Sequence, residues 1–111
     1  MNVVVLCGSL SSDPVVRSLA SGSSVMSLEV STPTADGVAS VPVAWFDAPS
    51  SATFEAGGEV VVVGTVRRRF FRVGGITQSR TEVVATEVLA ASKRKQVQRV
   101  LERSVAVLSG G

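Results

Sequence analysis

Ten of the eleven basic side chains fall from Arg67 onward: Arg67-Arg68-Arg69, Arg72, Arg80, Lys93-Arg94-Lys95, Arg99 and Arg103. That half carries three acidic residues and a charge of +7, whereas residues 1–66 hold one basic and six acidic residues, −5. The chain total of +2 conceals this split. A one-sided basic cluster is the electrostatic footprint of a polyanion-binding surface. A solvated face that balances acids elsewhere is the other reading of the same charges. The remaining residue types offer little for catalysis. Histidine and tyrosine are absent, which removes the commonest general base and metal ligand. A serine or cysteine nucleophile has no histidine to activate it. The nine carboxylates are scattered, with no dense acidic cluster for calcium or magnesium. A non-catalytic binding protein that needs no cofactor is the expected class.

Such residues must be held by a scaffold of 111 residues, one domain's worth of chain. Hydrophobic residues at 45% and charged residues at 18% give globular rather than disordered composition. Apolar runs such as Val60-Val61-Val62-Val63 are far too short to cross a bilayer. The N-terminal stretch lacks a basic n-region and a long apolar core, so no secretory signal is expected. The single Cys7 cannot form an internal disulfide. A cytoplasmic location follows as the expectation.

Asn2–Leu10 is valine-rich and reads as a first strand. Ser11-Ser12-Asp13-Pro14 is a turn signal, followed by a short extended piece, Val15-Val16-Arg17, and a second turn at Ser21–Ser24. Val25–Thr32 alternates with one buried face and is the second strand. Thr32–Gly37 reads as a loop and Val38–Phe46 as the third strand, in which Pro42 requires an edge or a bulge. Ser50–Ala56 reads as a short helix or turn, broken by Gly57-Gly58. Glu59–Phe71 is the fourth strand, Val73–Ile76 a glycine turn, and Thr77–Leu89 the fifth strand. Five strands at short intervals predict a small antiparallel barrel or sandwich.

From Ala90 the period becomes helical. Val97, Val100, Leu101, Ser104, Val105 and Leu108 form one stripe, predicting an amphipathic helix over residues 92–108. The expected organisation is a barrel domain over 1–90 and a helix with a glycine end over 91–111. Val3, Val5 and Cys7 alternate with Val4, Leu6 and Gly8, and neither face is strongly polar. Val60–Val63 is the same. A strand apolar on both faces needs a second cover, either the C-terminal helix or another subunit, with the subunit favoured. Val3, Val5, Cys7, Val97, Leu101 and Val105 are therefore the candidate oligomer contacts.

Residues 1–90 resemble the bacterial single-stranded DNA-binding protein family. The resemblance is carried by Asn2–Leu10 with Asp13-Pro14 and Arg17, by Gly22, Val25 and Leu28–Thr32, and by Val41–Phe46. It continues through Gly57–Gly64 with Arg67–Phe71, and through Gly75 with Arg80-Thr81-Glu82-Val83. It implies a five-stranded Greek-key oligonucleotide/oligosaccharide-binding (OB) barrel, a homotetramer with a dimer as the alternative, and a nucleoid-associated location. It also implies sequence-tolerant binding of single-stranded DNA, without catalysis, in replication, repair or recombination.

In that alignment Phe71 is a base-stacking aromatic, with Phe70 as its rival if a bulge shifts the phase. Packing of Phe71 against its own hairpin is the alternative role. Phe46 closes the third strand and turns toward DNA, Trp45 has core parity, and Phe54 pins the 50–56 segment. Arg67 and Arg69 share parity with Phe71 and match the family's basic ladder. Arg68 points to the other face, and Arg72 and Arg80 lie on the hairpin arms within reach of phosphate. Departures weaken the binding expected: Ser40 stands where the family has a tryptophan, the Pro33–Gly37 loop is short, and Val3 and Pro42 replace basic residues. The acidic tail that recruits replication proteins has no counterpart, so the chain is expected to be a divergent paralogue. A protein-interaction barrel similar to primosomal relatives and a small RNA-binding barrel are the competing readings.

Overall fold

The computed structural model describes residues 1–110. The chain is mainly β, with six strands in one sheet and one C-terminal helix. The strands are β1 Val4–Leu10, β2 Val15–Ser18, β3 Ser24–Thr34, β4 Gly37–Phe46, β5 Glu59–Val73 and β6 Ile76–Ala90, followed by α1 Arg94–Ser109. The order is β1-β5-β6-β4-β3-β2, and a further β1–β3 pairing at Ser9↔Ser31 and Leu10↔Val30 joins the sheet back on itself. Every neighbouring pair is antiparallel except β4–β6, which is parallel over Val43↔Val83 and Ala44↔Val84.

Two expectations are corrected. The count of five strands becomes six, because Val15–Ser18 pairs with Ser24–Ser27 instead of remaining an isolated extended piece. The expected loop at Thr32–Gly37 shrinks to a tight turn at Ala35-Asp36, since β3 and β4 pair as far as Thr34↔Gly37. Ser50–Ala56 takes the turn alternative rather than the helix. Pro42 sits without a bulge opposite Glu29. Glu29 turns its carbonyl away from β4, toward the amide of Ser11, so the Glu29–Pro42 pair is a non-hydrogen-bonded one and the missing amide faces away from β3. On that side β6 pairs only with Val43 and Ala44, and no ladder bond is lost.

The interior is filled by alternate residues: Met26, Leu28 and Val30 of β3, Val43 and Trp45 of β4, Val60 and Val62 of β5, and Val83, Ala85 and Val88 of β6. Phe54 packs on this core with its ring 6.5 Å from that of Trp45, pinning the 47–58 connection as its sequence position predicts. Asn2 precedes β1, yet its side-chain amide accepts from Val66 N at 2.9 Å and donates to Val66 O at 2.7 Å, extending the β1–β5 ladder by one step.

β5 and β6 shift register at Val63/Gly64, and Thr86 Oγ1 donates to the Val63 carbonyl there at 3.0 Å. Beyond the shift they continue as a two-stranded arm ending in Val73-Gly74-Gly75-Ile76. Gly74 and Gly75 have φ of 57° and 80°, as a two-residue hairpin turn matched to strand twist requires. The arm helps raise the radius of gyration to 14.8 Å, above the ~13 Å of a compact chain of this length.

The helix lies on β5. It begins without a capping side chain and with no acidic residue in its first turn, so packing rather than capping holds it. Val100 and Ser104 form its buried line, and Ser104 Oγ donates to the Val100 carbonyl at 3.0 Å. Val61 and Val63, the outward residues of β5, are buried. Val63 lies beside Val100 and Ser104, so this chain's own helix supplies a second cover for β5 there, whereas Val5 and Cys7 on the outward face of β1 stay exposed. Among the described residues, no helix is long and apolar enough to cross a membrane.

Candidate functional site

On the arm, strand pairing places Arg67, Arg69 and Phe71 of β5 on one face with Glu82, Arg80 and Gln78 of β6. That face continues the outer surface of the sheet, where Glu29, Pro42 and Phe46 alternate with the interior residues of β3 and β4. Together they border a concavity of about 490 Å³, whose lining includes Phe46, Arg67, Arg69, Arg80 and Glu82. Four of the predicted residues, Phe46, Arg67, Arg69 and Arg80, therefore meet at one place.

Their contacts are specific. Glu82 is 5% exposed, on the same face as Arg67 and Arg69 and lining the concavity. Arg67 donates to its Oε2 through Nε at 3.1 Å and Nη2 at 2.8 Å. Arg69 Nε approaches the other oxygen, Oε1, at 3.4 Å. The Arg67 guanidinium lies over the Phe46 ring, 5.3 Å from its centroid, and that of Arg69 lies over Phe71 at 5.5 Å. Both are within cation–π range. Arg69 and Arg80 are direct cross-strand partners, a repulsive pairing. They are drawn apart: Arg69 leans to Glu82, and Arg80 Nη2 donates to Glu29 Oε1 at 2.9 Å. Ser40 Oγ holds the second oxygen of Glu29 at 3.2 Å.

The other candidates fall outside the concavity. Phe71 adjoins it through the Arg69 stack. Phe70 and Arg72 belong to the opposite face of the arm, with Arg68. Phe70 is 66% exposed, and Arg72 Nη2 is held on its own turn by the Gly75 carbonyl at 2.9 Å. Among the candidate oligomer contacts, Val5, Cys7 and Val105 are exposed, Val97 and Leu101 are half-buried, and Val3 borders the junction of helix and sheet beside Val63 and Val100.

The residues that sequence reasoning missed are Glu82 and Glu29. Arg17, Arg67, Arg69 and Arg80 line the concavity with Asp13, Glu29 and Glu82, so four cations meet three anions and the net charge is +1. Asp13 is itself engaged, accepting from Ala56 N at 2.8 Å. Chemically, the arrangement offers planar guanidinium and aromatic surfaces with modest charge. No group of three or more metal-ligating side chains occurs among the described residues. No protein-family model matches the chain, and no curated protein matches it.

Proposed function

We propose that the chain is a non-catalytic single-stranded DNA-binding protein of the OB-barrel type, gripping bases on the outer face of β3, β4 and the β5–β6 arm. The observation that carries this reading is the paired stack, Arg67 on Phe46 and Arg69 on Phe71, bordering one concavity. Unpaired bases present π-faces to such surfaces whatever their identity, whereas duplex bases are already stacked. The barrel assignment is supported by the ring β1-β5-β6-β4-β3 closing through β1–β3, with its one parallel pair. A homo-oligomer, with a tetramer favoured, fits the exposed Val5 and Cys7 of a strand whose first half pairs only with β5. Titration of fluorescent single- and double-stranded oligonucleotides at two salt concentrations tests the function. Tighter binding of the single strand, weakening with salt, is expected. Equal affinities, or no binding at low salt, refute it.

A second reading has its own support. The near-neutral concavity and the exposed Phe70, Val73 and Ile76 on the arm suit a protein-interaction module similar to primosomal relatives. That reading expects weak, strand-indifferent DNA binding in the same titration.

A further inference from the structure

Two guanidinium groups share one buried carboxylate, and each has an aromatic ring beneath it. This geometry limits what the arginines can do. An arginine that clamps phosphate points its donor edge at the ligand. Here the Nε and Nη2 donors of Arg67 are directed at Glu82, and Arg69 is ion-paired to its other oxygen at 3.4 Å without a hydrogen bond. The trio has a charge of +1, not +2. Both arginine side chains nevertheless remain a little over 40% exposed. With one edge of Arg67 tied to Glu82, Arg69 ion-paired to the same carboxylate and each cation over a ring, the accessible remainder includes flat guanidinium surface, suited to stacking on a base.

We propose, resting on the reading above, that Glu82 is a positioning residue that turns Arg67 and Arg69 from phosphate clamps into base-stacking ledges. The ligand it selects is a single strand recognised by its bases, with the sugar-phosphate chain contributing little at this site. Glu82 suits the task because it is buried: a carboxylate at 5% exposure is not released by solvent and keeps both cations at fixed points. The exposed Glu29–Arg80 pair, with both partners near 40% exposure or above, lacks that constraint.

The test compares an oligothymidylate with an abasic oligonucleotide of equal length, which has the same phosphates and no bases, on the parent chain and on Glu82→Gln. The parent should prefer the oligothymidylate by about tenfold or more. In Glu82→Gln the freed cation should tighten abasic binding, narrow that gap, and steepen the slope of log K against log salt by about 0.7 for the added phosphate contact. A variant that is merely damaged weakens both ligands together and does not steepen the slope. The double variant Arg67→Gln, Glu82→Gln keeps the trio at +1, so it should keep the parent slope while losing the base preference. Three results overturn the inference: a parent that binds the two oligonucleotides equally, a folded Glu82→Gln with unchanged gap and slope, or a double variant that retains the full preference. If the parent binds neither oligonucleotide, it is the single-strand reading itself that fails.

Discussion

Phe70 and Phe71 are neighbours in sequence and opposites in the sheet. Phe71 shares its face with Arg67 and Arg69 and lies under the Arg69 guanidinium, whereas the more exposed Phe70 shares its face with Arg68 and Arg72. Phe71→Ala should weaken single-strand binding by about 1–3 kcal/mol, the worth of one stacking platform. Phe70→Ala should stay within about 0.5 kcal/mol of the parent. Titration of each variant, with a melting curve to show that the fold survives, distinguishes them; a loss confined to Phe70→Ala would move the binding face to the other side of the arm. The parity of Arg67, Arg69 and Phe71 is legible in the sequence, because side chains alternate along a strand. Glu82 is not legible from one strand, since its role depends on cross-strand register. The signal was nevertheless present. A two-residue turn at Gly74-Gly75 pairs Val73 with Ile76, and counting back along both strands brings Arg67 opposite Glu82 and Arg69 opposite Arg80. Tallying charge by segment hides this, because it adds up residues that strand pairing sets against one another.

The elements were more legible than their contacts. Apolar alternation marks the long strands and the 3.6-residue period marks the helix, both local signals. Val15–Ser18 pairs with Ser24–Ser27 across the turn marked at Ser21–Ser24, so the turn signal is local, but a run of three extended residues is too short to count as a strand without its pairing to β3. The helix shows the same limit. Its apolar stripe is broad, and the line that docks is the one that meets β5, with Val100 and Ser104 beside Val63. Val100 and Ser104 are buried while Val105, on the same predicted stripe, is 58% exposed. Val100→Asp should therefore undock the helix, losing at least the roughly 1.5–3 kcal/mol that burying a valine side chain contributes. Val105→Asp should leave the melting temperature within a degree or two, since surface changes stay near 0.5 kcal/mol. Melting curves and limited proteolysis of the 91–110 segment check the first expectation, and light scattering checks whether Val105 separates subunits. Unchanged stability in Val100→Asp would reject docking on the chain's own sheet.

At the scale of the whole molecule, the charge split read from the sequence is real but redistributed by folding. Four ion pairs engage Arg67 and Arg69 with Glu82, Arg80 with Glu29, and Arg103 with Glu87. Arg68 and Arg72 on the arm, and Lys93, Arg94 and Lys95 where the helix starts, have no carboxylate partner among the described side chains. Positive charge is thus greatest away from the concavity. On the proposed reading, a polyanion would be drawn in by the uncompensated cations, over a distance set by salt, and then held by stacking where charge is nearly balanced. Substituting Lys93, Arg94 and Lys95 together by glutamine removes three charges that touch neither stack. It should slow association severalfold at low ionic strength while leaving dissociation close to the parent's, because rim charges act chiefly on the on-rate. Stopped-flow mixing with a fluorescent oligonucleotide at low and at physiological salt separates the two rates. The difference between variant and parent should fade as salt shortens the range of the field. A variant that instead dissociates faster at both salts would mean that the start of the helix lies on the bound strand's path, and that the concavity is one part of a longer contact surface.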